Sequence, residues 1–345
     1  MVGVRKRGEE IRQFILDNVT KHPLDIAKVT AEAFGISRQA VNRHIHKLID
    51  QDSIDVDTST GHLFYQLTAQ VIFLKIYPLD GALAEDAVWR TDIAPLLGDL
   101  PENVINLWYY GFTEMLNNAI DHSGGSWVYV AMEKTAIYFQ IRISDDGEGI
   151  FKKIQKALNL FDERHALLEL AKGKLTTDPS RHTGEGIFFT SRAFDEFSIS
   201  SGGIFFSHFF DDAQDWISQR EKNLPATVVF MRLGNRAEQT LKSIFDQSTS
   251  GEEDDFPFSK IVVPVKLAQY SNEALMSRSQ AKRVLARIEK FKIVIFDFKG
   301  VETIGQAFAD EIFRVFAQAH PDIELSPINA NPDVQAMISR ALAAR

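Results

Sequence analysis

Three short segments, in one order, hold the residues of this chain that could do chemistry. They are Glu114-Met115-Leu116-Asn117-Asn118-Ala119-Ile120-Asp121-His122, then Asp145-Asp146-Gly147-Glu148-Gly149-Ile150, then Thr183-Gly184-Glu185-Gly186-Ile187. On a helix Glu114 and Asn118 share a face, and Asp121, seven residues after Glu114, joins them. Mg2+ takes oxygen ligands and keeps several waters, so the amide oxygen of Asn118 suits it, with Asn117 a competing ligand. A carboxylate one turn away, Glu114, could orient or deprotonate an attacking water or hydroxyl. Asp145 closes a strand with apolar inward residues and is expected to accept a hydrogen bond. Gly147 and Gly149 let backbone approach a ligand closely. Gly184 and Gly186 precede a helix whose free amides and dipole favour phosphate. Each segment is weak alone; in this order they describe a pocket for a nucleotide and a divalent metal.

The elements that position these residues follow from hydrophobic periodicity. A strand at Val71–Tyr77 opens a central unit over residues 70–235. Helices are expected near 82–96 and 102–122, strands near 127–133 and 136–144, and a helix from Gly186 to Phe194. Strands at 196–200 and 204–210 are expected to join through the turn Ser201-Gly202-Gly203, with Thr227–Met231 as the last strand. Helices gathered on one side of a mostly antiparallel sheet make an α+β layer.

Ahead of this unit, residues 1–69 read as three helices and a hairpin. Ile11, Phe14, Ile15 and Val19 recur at helical spacing, and Lys21-His22-Pro23 ends that helix. A second helix spans about 25–34. Gly35 supplies a turn, and Ser37 is placed to cap a third helix over 38–49. That helix puts Val41, Ile45 and Leu48 on one face and Arg38, Asn42, Arg43, His46 and Lys47 largely off it. Strands at 54–57 and 62–65 flank Thr58-Ser59-Thr60-Gly61. The pattern resembles a winged helix-turn-helix, a fold that commonly reads DNA through the third helix; it also serves as a protein-interaction module. Residues 1–70 balance nine Lys and Arg against nine Asp and Glu, but Arg38, Arg43 and Lys47 have no acid among them. Local positive charge suffices for phosphate contacts. Ser37, Arg38, Asn42, Arg43, His46 and Lys47 are the candidate DNA-contacting set within residues 25–65.

After a linker at 236–255, which includes the acidic run Glu252-Glu253-Asp254-Asp255, residues 256–345 alternate strand and helix in a small α/β domain. Its helix near 273–289 carries Arg278, Lys282, Arg283 and Arg287, read either as a solvated face or as a partner-docking face. The whole chain has 345 residues, no cysteine and a formal charge of −9. Those values suit several folded domains, exclude disulfides and thiolate metal sites, and confine any nucleic-acid contact to a local surface. No apolar run approaches the roughly 20 residues that span a bilayer, and the charged N-terminus lacks a signal-peptide core. A cytoplasmic, non-membrane protein is expected.

The three central motifs resemble the GHKL ATP-binding fold of histidine kinases, gyrase-type topoisomerases, MutL-type repair proteins and anti-sigma-factor kinases. The resemblance covers about residues 70–235 and implies an α/β sandwich that binds ATP and Mg2+. It assigns Glu114 as the catalytic or water-positioning carboxylate and Asn118 as the metal ligand, with Asp121 nearby. Asp145 would read the adenine amino group beside Gly147, Gly149, Ile150 and Thr227. Thr183, Gly184, Gly186 and Ile187 would meet the phosphates, and residues 151–183 would form a mobile lid. The C-terminal stretch Ile293–Phe298, Gly300-Val301 and the turn after it resembles STAS domains. Gln306 or Ala307 stands where such domains commonly place a phosphorylatable Ser; Thr303 is a substitute. No His precedes the ATP unit in the pattern of a phospho-acceptor, so autophosphorylation on His is not expected.

These features converge on an ATP-responsive, DNA-binding regulator. An anti-sigma-type serine/threonine kinase acting on a STAS partner, or an ATP-gated homodimeric clamp, are the alternatives.

Overall fold

The computed structural model describes residues 2–59, 61–160, 162–172, 186–210, 212–247, 260–269 and 274–343. At the N-terminus, α1 (Val2–Asn18), α2 (Ile26–Phe34) and α3 (Arg38–Asp50) precede a hairpin of β1 (Ile54–Asp57) and β2 (Phe64–Leu67). The apolar residues spaced along these helices meet in one small core of Ile11, Ile15, Leu16, Val19, Ile26, Val41, Ile45, Leu48 and Ile54. Gly35 ends α2 in the left-handed conformation, φ 62°, and Ser37 caps α3 by accepting from the Ala40 N–H. The second hairpin strand lies two residues beyond the expected 62–65. Tyr65 and Leu67 pack on the core, and this fixes the register Ile54 to Leu67 and leaves His62 and Leu63 exposed.

The chain passes from β2 into the central sheet within three residues. β3 (Val71–Pro78) leads to α4 (Glu85–Val88), a π-helical turn (Trp89–Ile93), α5 (Ala94–Leu97) and the long α6 (Glu102–His122). Then come β4 (Trp127–Lys134), β5 (Tyr138–Asp145), α7 (Ile150–Ala157), α8 (Glu163–Ala171), α9 (Gly186–Ala193), β6 (Glu196–Phe209) and β7 (Asp212–Gly234). The five strands pair antiparallel in the order β3-β4-β5-β7-β6. Alternation assigns the faces: Val128, Val130, Met132, Phe139, Ile141 and Ile143 are buried, whereas Ile72, Leu74 and Ile76 on the opposite face of β3 are exposed.

Two expectations change here. Ser201-Gly202-Gly203 is not a turn: β6 runs through it, and Gly202 at φ 58° sits in an irregularity of the ladder with β7. A glycine with positive φ serves a bulge as readily as a turn. Its pairing partner is the upstream part of β7, so Thr227–Met231 is the end of a long strand, not a separate short one. Of the expected lid, 151–183, residues 151–171 hold the helices α7 and α8, with Phe151, Ile154, Ala166, Leu167 and Leu168 buried, and 173–183 lie outside the described residues.

The first unit rests on one end of this sheet. Ala136 and Ile137, in the β4–β5 turn, pack on its core, the Gln70 N–H donates to the Lys134 carbonyl, and Arg236 donates to Gln13 at 2.9 Å. After β7, α10 (Leu241–Gln247) occupies part of the expected linker, burying Ile244 and placing Phe245 edge-on to Phe189. The C-terminal unit is a parallel sheet ordered β10-β9-β8, from β8 (Lys260–Pro264), β9 (Ile293–Asp297) and β10 (Glu324–Ile328). Its helices are α11 (Arg278–Leu285), α12 (Gln306–Asp310), a π-helical stretch (Glu311–Phe316), α13 (Ala317–Ala319) and α14 (Pro332–Ala343). One buried apolar cluster runs unbroken from the central unit into this one. Among the described residues no helix is long and apolar enough to cross a membrane.

Just past the end of α9, Phe194 packs closely on α6. A Cβ on Gly111 would stand 2.6 Å from Cζ of Phe194, a fully buried ring wedged against Trp108. Gly111→Ala gains up to about 1 kcal/mol of helix propensity. The overlap costs ~1–3 kcal/mol, because the ring has no space to move into. We expect a net loss of stability, read as a lower denaturation midpoint.

Candidate functional site

Asp145 ends β5 at the edge of the core and is only 8% exposed. Its Oδ1 accepts from the Gly147 N–H at 2.9 Å and from the Thr227 N–H at 3.3 Å. Burial pushes its carboxyl up from the ordinary aspartate range, opposed by these donors. Thr227, on β7 beside β5, also accepts from the Ile150 N–H through Oγ1 at 3.0 Å. Asp145, Gly147, Gly149, Ile150 and Thr227, separated by up to 82 residues, are thus brought into one cluster.

The glycines are required for steric reasons. A Cβ on Gly147 would overlap the Ser123 carbonyl just after α6, and Gly149 adopts φ 92° with Ser201 Oγ 2.6 Å from where its Cβ would be. The Asp145–Gly149 loop therefore lies tight beneath the end of α6, where the Glu148 N–H also donates to the Ser123 carbonyl at 3.3 Å. Asp146 turns away and accepts from the Ser126 and Trp127 N–H groups, fixing the start of β4. Lys153 on α7 donates to the His122 carbonyl at 2.5 Å and so ties α7 to the same end of α6.

On α6, Glu114 and Asn118 are half-buried, whereas Asp121 is exposed. The first residue of α9, Gly186, lies so close to Glu114 that a Cβ would overlap the carboxylate Oε2. Glu114 therefore stands at the amino end of α9, with Ile187 next to Gly186 and half-buried. Thr183 and Gly184 lie outside the described residues. Among those described, no group of three or more His, Asp or Glu side chains is placed to hold a metal ion. A Mg2+ ion here would rest on Asn118 and on oxygens supplied by its ligand, in keeping with its preference for phosphates and water. An expected nucleotide would meet here a buried carboxylate, close-approach glycines and the first residue of α9.

The candidate DNA-contacting residues share one surface. Ser37, Arg38, Asn42, Arg43, His46 and Lys47 are all exposed along α3, and Val41, Ile45 and Leu48 face the core. The cations on and just after α11 divide: Arg278 and Lys282 stay exposed, as the solvated-face reading has it, while Arg283 and Arg287 turn toward α8. Arg278 pairs with Asp310 and Glu311, Lys282 approaches Glu311 at 3.9 Å, Arg283 bonds His165, and Arg287 approaches Glu169 at 3.7 Å.

Two residues of the Asp145 cluster escape a linear reading. Ser123 acts through its carbonyl, signalled only by its place at the end of α6. Ser201, opposite Thr227 in the β6–β7 ladder, is buried, and its hydroxyl has no hydrogen-bond partner among the described residues. Thr227→Val keeps the shape but strands the Ile150 N–H. We expect a loss of about 1–3 kcal/mol and faster amide exchange at Ile150, measured by denaturation and hydrogen exchange.

The comparison with protein families bears on the C-terminal unit. Residues 280–335 match a family described as a STAS-like domain of unknown function (DUF4325). The match takes in most of α11 together with β9, α12 and β10. No curated protein matches the chain. The C-terminal unit thus carries a STAS-like domain.

Proposed function

We propose that this protein is an ATP-binding, DNA-binding regulator in which nucleotide and Mg2+ occupancy biases DNA or partner binding. The observation that carries the reading is the cluster at the end of β5. A buried carboxylate held by Gly147 and Thr227 is suited to accept from an adenine amino group, beside two glycines where a base could lie close. Asn118 on α6 would hold Mg2+, and Gly186 at the amino end of α9 would meet phosphate. When bound, the metal would neutralise phosphate charge; Asn118 contributes a neutral oxygen, and Asp145 and Thr227 orient the base. The alignment of α3's polar residues on one exposed face supports DNA contact. The geometry also favours linkage between the two ends: β5 starts beside Ile137, which packs on the first unit, and ends at Asp145, roughly 25 Å away at strand rise. A ligand that binds two states of this sheet unequally would shift their populations, and DNA would feel the same coupling.

A second reading has its own support. Glu114 stands at the start of α9, where it could activate an attacking hydroxyl, so phosphoryl transfer to a STAS-type partner is retained as the alternative. Product analysis with labelled ATP separates the two: label on protein, lost in Glu114→Ala, favours the kinase.

Three results test the main reading. Titration of ATP with Mg2+ should show binding that Asp145→Asn or Asn118→Ala reduces at least tenfold, about 1.4 kcal/mol; unchanged affinity in both would falsify the site. Acidification should weaken binding at a pH above the ordinary aspartate range, because base reading needs the ionised carboxylate and burial raises the Asp145 pKa. The same shift acts on stability with the opposite sign: its contribution is present below the unfolded pKa and is lost as pH rises through the folded one. DNA affinity should fall with salt, and Arg43→Ala or Lys47→Ala should each reduce the slope by about one. DNA affinity that ignores ATP would remove the coupling.

A further inference from the structure

Lys172, just past the end of α8, is 2% exposed, and its ion-pair partner Glu169 is 5% exposed. Ions this deep are retained only where their charges and protons are all met. Nζ of Lys172 donates to Glu169 Oε1 at 2.7 Å, to the Arg283 carbonyl at 3.1 Å and to the Ala286 carbonyl at 2.7 Å. The two carbonyls belong to the last turn and C-cap of α11, in the STAS-like unit, where a cation meets unsatisfied acceptors and the negative end of the helix dipole. Arg287, left-handed at φ 64°, turns back toward Glu169 Oε2 at 3.7 Å. One turn earlier on α8, His165 Nε2 lies 3.0 Å from Arg283 Nη1. A helix of the central unit is therefore bolted to the end of a helix of the STAS-like unit by buried charge.

The bolt has a short path to the Asp145 cluster. α8 packs on α7. α7 begins at Ile150, which donates to Thr227, and its Lys153 holds the last carbonyl of α6, the helix that bears Asn118. Both walls of the proposed nucleotide pocket are thus attached to α7, and α7 to α8.

We propose that the Lys172–Glu169 pair is a latch through which the STAS-like unit sets the geometry of the Asp145 pocket, an inference that rests on the nucleotide reading above. A partner that draws α11 away would then change nucleotide affinity, and nucleotide would change α11 by the same factor. Steric contact along α7 and α8 is not by itself coupling, so linkage between the two regions is the quantity to measure.

The test is hydrogen exchange on the full chain, with and without ATP and Mg2+. In the wild type, nucleotide should slow exchange severalfold both at 145–153 and at 278–287. Lys172→Met with Glu169→Gln removes both buried charges together, and Arg287, which loses Glu169, is about a third exposed and keeps contact with water. In that variant the pocket amides should still respond, the 278–287 response should vanish, and ATP affinity should change about fivefold or more. Pocket protection in the wild type with no change at 278–287 would overturn the latch while leaving the nucleotide site standing. No protection at 145–153 would overturn the nucleotide reading and the coupling with it. The wild-type comparison needs no variant to fold, and amides of 139–143 in β5 and 293–297 in β9 report folding of the variant's central and STAS-like units.

Discussion

A buried carboxylate at the end of a strand is the constraint on which the central unit turns. Asp145 sits where β5 leaves the core, and a charge there requires donors within reach. The donors are backbone N–H groups from its own turn and from β7, so the Asp145–Gly149 loop and the β5–β7 pairing are set together. Gly147 then allows the loop to press against the Ser123 carbonyl, and Gly149 takes a positive φ against Ser201. Asp145 is thus held from two sides, by its own turn and by β7.

A similar economy governs α6. Its buried face packs Leu107, Trp108, Phe112, Met115 and Leu116 against the sheet, so its length and direction follow from the core. The polar residues Glu114 and Asn118 ride on the half-buried flank this leaves. Gly111 brings Phe194 close, and Gly186 brings the start of α9 against Glu114, so two glycines set how near α9 comes to α6. Removal of the side chain at those positions, rather than any attraction, is what allows the approach.

The STAS-like unit is integrated with the central unit rather than merely attached. The apolar cluster is continuous between them, and the polar contacts at the ends of α8 and α11 place His165, Glu169, Lys172, Arg283 and Arg287 at one junction. Arg278 and Lys282 meet Asp310 and Glu311 of the neighbouring helix, and Arg283 and Arg287 turn toward α8.

Periodicity and capping in the sequence determined most elements: the three N-terminal helices, α6, β4, β5, α9 and the alternating strands and helices of the C-terminal unit. It was the resemblance of the three motifs, rather than periodicity, that grouped Asp145, Gly147, Gly149 and Thr227 in one proposed pocket, since an acid followed by glycines is by itself more often a turn. The long β6–β7 ladder was not legible, since a Gly-Gly pair reads as a turn until a partner strand passes beside it. Nor was α8, whose short apolar stretch lies between polar residues and has no strong period. For Lys172 only the i,i+3 pairing with Glu169 is local; the two carbonyls that complete its hydrogen bonds lie more than a hundred residues away. Local pattern encodes which segments become helix or strand; which charges share a buried junction is decided only when those segments pack, since desolvation and hydrogen-bond completion depend on neighbours distant in the chain.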